Sequence, residues 1–369
     1  MRIDSLEIHR VAMPLVYPFR TATGDDHTIE SVLVRMASGD CFGWGETAPG
    51  QLPTYSGEWA AAVFLTVRDV LAPLLLGEDI ASGEDLQQRL SHIKGNQFAK
   101  AVLDSAWWDL YARTRGEPLW QALGGSGPTV DVGADFGIME TIQSLLDTIG
   151  TAVESGFKRI KLKYRPGWEL DMVAAVRAAY PDTVFHVDCN SAYRLDDLPM
   201  LKRLDEYDLA MIEQPLAHDD LLDHAELQRH IATPICLDES ITSVDKTRKA
   251  IAIGATKWVN IKYGRVGGVT NARAIHDLCA DSGVPCWIGG MLESAVGASH
   301  CLALATLPNV KYPSDIFPSS RFYREDLAAP EISLSGPSQV TAQPGPGIGV
   351  HPRPEELSRL TLEHALLRA

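Results

Sequence analysis

The sequence predicts an α/β protein: a modified (β/α)8 barrel, TIM-type in its (β/α)7β form, with an N-terminal α+β capping domain completed by the C-terminal segment. Three observations predict it. First, Lys163, Asp188, Glu213, Asp238 and Lys262 recur at intervals of 25, 25, 25 and 24 residues. Each closes a short apolar, β-branched run: RIKLKY, VFHVDCN, AMIEQP, PICLDES and WVNIKYG. One strand plus one helix takes about that many residues, so each interval reads as one βα step. Second, residues 1 to 125 place strands first and helices after, without alternation, as α+β units do. Third, the stretch Glu331–Val350 is rich in Pro and Gly and comes too late for the barrel, so it returns to pack on the N-terminal unit.

In chain order, Ile3–Pro14, Ser31–Met36 and Cys41–Ala48 read as strands. Trp59–Leu75, Ser82–Lys94 and Lys100–Thr114 read as helices, the last with Val102, Leu103, Ala106, Trp107 and Leu110 on its apolar face. The loops Tyr17–Thr28 and Pro49–Ser56, rich in Gly, Pro, Thr and aromatics, have the composition of covers over a site. Barrel strands are expected to begin near Val130, Arg159, Val184, Ala210, Pro234, Trp258, Val284 and Lys311. Between them fall helices at Thr141–Ser155, Glu169–Ala179, Leu195–Arg203, Asp219–His230, Ser243–Gly254 and Val269–Ser282. Pro313 and Pro318 reduce the last helix, and a terminal helix is expected over Pro354–Leu367. The expected divisions are 1–125 for the capping domain, 126–321 for the barrel and 322–369 for the returning segment.

A net charge of −15 argues against nucleic acid or an anionic membrane as partner. The six cysteines stand singly, without a CxxC pair, which fits a reducing compartment and neither a disulfide framework nor a zinc-thiolate site. The N-terminus alternates like a strand and carries no apolar leader, and no apolar run approaches a membrane span, so a soluble cytoplasmic protein is expected.

Residues at the carboxyl ends of parallel barrel strands converge on one mouth. Asp188, Glu213 and Asp238 therefore approach one another, and three clustered anions need a cation. All-oxygen ligation points to Mg²⁺, with Mn²⁺ as substitute. Asn190 and Glu239 are expected just outside the ligand set. Lys161 and Lys163 lie two apart on one strand and point to the same side. Two ammoniums about 6.5 Å apart repel by about 2.5 kcal/mol at an effective dielectric of about 20. That repulsion is expected to lower one amine toward the range of a base, the alternative for Lys161 being to serve as the charge partner of an acid. Lys262 comes from the far side of the acids, so two lysines facing each other across a metal suit removal of a proton beside a carboxylate. The glycines of YGRVGG more simply turn the chain than cradle an anion, and P-loop, HExxH and G-x-S-x-G motifs are absent. A barrel that binds a metal without catalysis is the alternative outside enzymology.

At these residues the chain resembles the enolase superfamily, whose lysine-and-magnesium chemistry is a familiar pattern of tuned active sites. Lys161/Lys163, Asp188/Asn190, Glu213 in EQP, Asp238/Glu239 in LDES and Lys262 match its muconate-lactonizing-enzyme-like group. The segments TPICLDESI, GRVGG, GGMLES and SSRFYREDL are similar to its o-succinylbenzoate synthase / N-succinylamino acid racemase branch. The resemblance implies Lys163 and Lys262 as the acid/base pair and Asp188, Glu213 and Asp238 as Mg²⁺ ligands. It implies Lys161, Arg265, Glu293 and Asp135 as residues that meet a small carboxylate substrate, and a homo-oligomer as the assembly. The implied activity is a carbon–oxygen lyase (dehydratase) of menaquinone biosynthesis, the o-succinylbenzoate synthase reaction. N-succinyl or N-acyl amino acid racemisation by the same lysines is the alternative, and muconate cycloisomerase, also an isomerase, a more distant one. Tyr263 stands where the branch carries proline, Asp135 where a small residue is expected, and Ser314-Asp315-Ile316 replaces the D-x-D of dipeptide epimerases.

Overall fold

The computed structural model describes residues 1–20 and 25–369. Seven parallel strands form one curled sheet in chain order: Ala134–Phe136, Arg159–Lys163, Val184–Asp188, Ile212–Glu213, Ile235–Leu237, Trp258–Ile261 and Cys286–Ile288. These strands are rich in Val, Ile, Leu and Phe because each is covered on both faces, by helices outside and by packed side chains inside. The helices Ile142–Glu154, Leu170–Ala179, Leu222–His230, Val244–Ala252, Val269–Asp281 and Ala295–Ala305 supply the outer ring.

The eighth strand, expected from Lys311, is a run of single bridges rather than a ladder. Val310 bridges Cys286 on one side and Ser314 bridges Val132 on the other, while the Asp315 N–H donates to the Ile288 carbonyl at 2.9 Å. Pro313 has no N–H to give, which interrupts the ladder at its centre. Strand one also starts later than expected: Thr129–Asp131 pairs antiparallel with Gln339–Thr341, and the barrel strand begins only at Ala134. The helix expected over Leu195–Arg203 is broken into short turns, Leu195–Asp197, Leu198–Leu201 and Lys202–Tyr207, with Pro199 at the break.

The N-terminal sheet is antiparallel, in the order Thr361–Arg368, Ser5–Arg20, Asp25–Ser38, Cys41–Thr47. Its hairpin strands extend into the loop expected over Tyr17–Thr28; residues 21–24 of that loop lie outside the described residues. The expected terminal helix Pro354–Leu367 stops at Leu360, and Thr361–Arg368 pairs with the first strand as the sheet's edge. The alternating burial along TLEHALLR is the period of a strand with one covered face, and the first strand offers an unpaired edge to it.

The helix Gln97–Arg115 packs across this sheet and is buried along most of its length. The Glu58 carboxylate accepts the Phe98 and Ala99 N–H groups at 3.1 and 3.2 Å, and Gly116 closes the helix at φ +70°. The contact explains the GWGE segment. A Cβ on Gly43 would lie 2.2 Å from the Leu110 nitrogen, and one on Gly45 would lie 2.3 Å from the Val102 carbonyl. Backbone cannot yield as a side-chain tip can. Gly45→Ala is therefore expected to cost about 3 kcal/mol of unfolding free energy, read from denaturant melts; an unchanged midpoint would show that helix and sheet are not held this close.

Candidate active site

The strand register gathers the charged side chains. Lys163 pairs across from Asp188, Asp188 from Glu213, and Lys161 from Asp135. Strands two and six of an eight-membered ring stand opposite each other, so Lys163 and Lys262, at their carboxyl ends, reach the mouth from opposing walls.

Each carboxylate is engaged by cations. Lys163 Nζ donates to Asp188 Oδ2 at 2.7 Å and to Asn190 Oδ1 at 3.0 Å. Lys161 Nζ lies 3.0 Å from Asp188 Oδ2, 2.9 Å from Glu213 Oε2 and 3.3 Å from Asp315 Oδ2. Lys262 Nζ lies 3.0 Å from Asp238 Oδ2. Asn260 Nδ2 donates to Glu213 Oε1 at 2.7 Å, and His186 Nε2 lies 3.2 Å from Glu213 Oε2. Asn190 Nδ2 donates to Glu239 Oε1 at 3.1 Å.

A cavity of about 370 Å³ opens above this cluster, lined by Lys161, Lys163, Lys262, Asp135, Asn190, Glu239 and Asp315. Phe19, Ile29, Leu52, Tyr55, Met291, Leu292 and Phe317 form its apolar share. Glu213 and Asp238 lie beneath the lining, fully buried. Arg265 is also beneath it. Its guanidinium donates to Tyr55 Oη at 2.7 Å and to the carbonyls of Ile241 and Asn260 at 2.8 Å, and it pairs with Asp238. Glu293 turns away from the cavity to accept the Met291 N–H at 2.7 Å, so the neighbouring Met291 and Leu292 form that stretch of wall.

The lysine repulsion expected from the sequence does not govern the amines. Burial, the largest single influence, pulls the Lys163 amine down, but the charge and hydrogen bond of Asp188 together with the Asp135 charge outweigh burial and the neighbouring Lys161, leaving it above its ordinary value. Lys161 and Lys262 likewise stand well above theirs, because Asp188 and Glu213 hold the first and Asp238 the second against burial. The Coulomb attraction to carboxylate oxygens at about 3 Å exceeds the repulsion between the two amines that share Asp188 Oδ2. For Lys161 the alternative of a charge partner for acids is the one the geometry carries.

The acids remain in excess. Asp135, Asp188, Glu213, Asp238, Glu239 and Asp315 face Arg159, Lys161, Lys163, Lys262 and Arg265, all of them buried. Burial first, then Asp238 and Asp188, push the Glu239 carboxyl up to about 8, and its Oε2 has no hydrogen-bond partner. A trio of carboxylates with an orphaned carboxyl oxygen beside it is an all-oxygen donor set of the kind a hard divalent cation takes. The residues fit such an ion.

Sequence reasoning missed four participants. Asp315 holds Lys161 and Arg159 together; its place at the end of the eighth strand was the available signal. His186 points inward one turn of the pleat below Asp188. Gln214, at φ +39°, accepts the Asp238 and Ser240 N–H groups and ties two strand ends. Tyr55 sits over Lys262, ring centroid 4.9 Å from Nζ, and its hydroxyl lies 3.4 Å from Asp238 Oδ2. Its position in the expected covering loop Pro49–Ser56 was the only hint.

The chain belongs to the enolase superfamily. Residues 4–124 match the mandelate racemase / muconate lactonizing enzyme N-terminal domain, and residues 145–357 match the enolase C-terminal domain-like family. The chain is 44% identical over 362 residues to an o-succinylbenzoate synthase of Geobacillus stearothermophilus, covering 98% of this chain and 96% of that one. It is 43% identical over 363 residues to an N-succinylamino acid racemase of Thermus thermophilus, covering 98% of each. A crystal structure of an enolase-superfamily member from Listeria innocua superposes with a TM-score of 0.96 at 34% identity, covering 100% of this chain and 99% of that one.

The GWGE segment also reaches the site. Glu46 accepts the N–H groups of Ser294 and Gly297 at 3.0 and 2.9 Å, fixing the turn that follows Met291 and Leu292. Burial pushes its carboxyl up from 4.5 to about 7 against those hydrogen bonds. A raised carboxyl contributes stability that is fully present below about 4.5 and lost as pH rises through about 7. Unfolding free energy of the native chain minus that of Glu46→Gln should therefore fall between pH 5 and pH 8, by about 3 kcal/mol at most. A difference that is flat with pH, in paired denaturant melts, would contradict this.

Proposed function

We propose that this chain is an o-succinylbenzoate synthase: a dehydratase that removes an α-proton and eliminates water, syn, from 2-succinyl-6-hydroxy-2,4-cyclohexadiene-1-carboxylate. The observation that carries the reading is the opposed lysine pair at the ends of strands two and six, with the carboxylate trio between. Overall identity to synthases supports the substrate. The reading places the enzyme in menaquinone formation in the cytoplasm, as a homo-oligomer; six free cysteines suit that compartment. It treats 1–125 as the cap, 126–321 as the catalytic barrel and 322–369 as the segment returning to the cap.

Asp188, Glu213 and Asp238 would hold Mg²⁺, or Mn²⁺ in its place, and the bound ion would supply positive charge beside the substrate carboxylate as negative charge builds there. The same ion would draw charge from Asp188, which is what holds the Lys163 amine high, and so free that amine to act as base. Lys163 takes the α-proton. Lys262, fixed by Asp238 and covered by the Tyr55 ring, presents its ammonium to the other face of the developing anion. The C–O bond breaks on the face of Lys163, which returns its proton to the departing hydroxide as water. Lys161 and Asp135 border the substrate space, Asn190 and Glu239 steady Lys163, and Arg265 fixes Asp238 and Tyr55 without reaching the substrate.

Turnover of the cyclohexadiene substrate, followed by product absorbance with Mg²⁺ present, should fall about 10³-fold in Lys163→Ala and in Lys262→Ala. It should vanish with chelator and return with Mg²⁺. No turnover by the native chain sinks the reading.

Racemisation of N-succinylamino acids is the second reading, favoured by the same two-faced lysine arrangement and by the Thermus thermophilus relative. In D₂O each enantiomer should exchange its α-proton in the native chain, and each single-lysine variant should retain exchange for one enantiomer only. Loss of both exchanges together in one variant would exclude independent one-face proton transfers.

A further inference from the structure

Far from the barrel mouth, the first and last strands bring Glu7, His9 and His364 together on the edge of the capping sheet. His9 stands directly across from His364 in the antiparallel register, their ring centroids 4.6 Å apart, and Glu7 is two residues from His9 on the same face. We propose that these residues form a second metal site, for zinc or a similar borderline divalent cation bound by His9 Nε2, His364 Nε2 and a Glu7 carboxylate oxygen.

Two of the three ligand separations already stand close to the required spacing. Glu7 Oε1 lies 3.1 Å from His364 Nε2 and 3.4 Å from His9 Nε2, and each of the three residues offers one ligand atom within 4.8 Å of the others. Tetrahedral zinc with bonds of about 2.0–2.1 Å needs ligand atoms about 3.3–3.5 Å apart. The set is two imidazoles and one carboxylate, with a fourth position toward solvent on the His364 side.

The proton inventory points the same way. The Thr361 hydroxyl donates to the Leu357 carbonyl at 2.6 Å, so its oxygen is left to accept the His9 Nδ1–H at 3.2 Å. That contact fixes the tautomer with the lone pair on Nε2, as an outer hydrogen bond does for metal-bound histidines. His9 is 7% exposed, and its Nε2 has no hydrogen-bond partner among the described residues. In that neutral tautomer it faces the Glu7 carboxylate oxygen at 3.4 Å, acceptor against acceptor. Arg35 pairs at 4.0 Å with the other carboxylate oxygen, Glu7 Oε2, and leaves Oε1 to the two histidines. A bound cation would resolve the conflict and join residue 9 to residue 364 across the sheet edge.

The test titrates zinc into the full-length chain in saturating Mg²⁺, by calorimetry, for the native protein, His364→Ala and Glu7→Gln. The native chain should bind one more zinc per chain than His364→Ala, with at least about tenfold weaker binding at this site in Glu7→Gln. Zinc should raise the melting temperature of the native chain and not that of His364→Ala, whose turnover without zinc should be unchanged. Cobalt substituted into the unmodified chain should give the intense visible bands of a four-coordinate ion, which the all-oxygen barrel site would not give. Equal zinc stoichiometry in native and variant chains, or only the weak bands of six-coordinate cobalt, would overturn the proposal. The latter result would mean that a proton, not a metal, bridges His9 and Glu7.

Discussion

Buried charge is the constraint on which the rest of this molecule is arranged. Asp188, Glu213 and Asp238 are at most 1% exposed, and an unpaired carboxylate at such depth would cost several kcal/mol. Each therefore has a cation at about 3 Å, and those cations come from the neighbouring or next-but-one strand. A register slip of one residue would turn a lysine outward and leave an acid alone. The ionic network thus holds the register as firmly as the apolar layers below it. It also tolerates unusual backbone at the strand ends: Asn190, Ser191 and Gln214 all have positive φ without being glycine.

The capping unit is bound into the same network rather than laid over it. Tyr55 brings a ring to Lys262 and a hydroxyl to Arg265, so closing the cap completes the polar environment of Asp238. Glu46 grips the start of Ala295–Ala305, and the Tyr263 hydroxyl donates to the Glu46 carbonyl. Tyr263, where related chains were expected to carry proline, thereby becomes a strut between cap and barrel. Phe19, Ile29 and Leu52 line the cavity on the cap side, where an apolar wall excludes water from proton transfer.

The fold and the gathering of the charged side chains were legible because both follow from periodicity. A recurring βα length placed Lys163, Asp188, Glu213, Asp238 and Lys262 at one mouth before any coordinate was known, and Asn190 and Glu239 came with them. Less legible were features that depend on which partner is available. The chain from Thr361 was expected to continue a helix, but the unpaired edge of Ser5–Arg20 draws it into the sheet. The eighth strand looked regular by spacing, yet Pro313 leaves it bridges only. Lys161 and Lys163 were weighed against each other, while their distances to acids on other strands decide their protonation.

By itself the sequence determined the barrel class, the order of its steps and the identity of the groups at the strand ends, because strand and helix lengths are local properties of the chain. Tertiary structure alone decided which charges meet. That Arg265 serves Asp238 and Tyr55, that Asp315 anchors Lys161, and that His9 faces Glu7 beside His364 are contacts between residues remote in sequence. Coulomb energy and hydrogen-bond geometry depend on separations of a few ångströms in space, and residue spacing along the chain does not encode those separations.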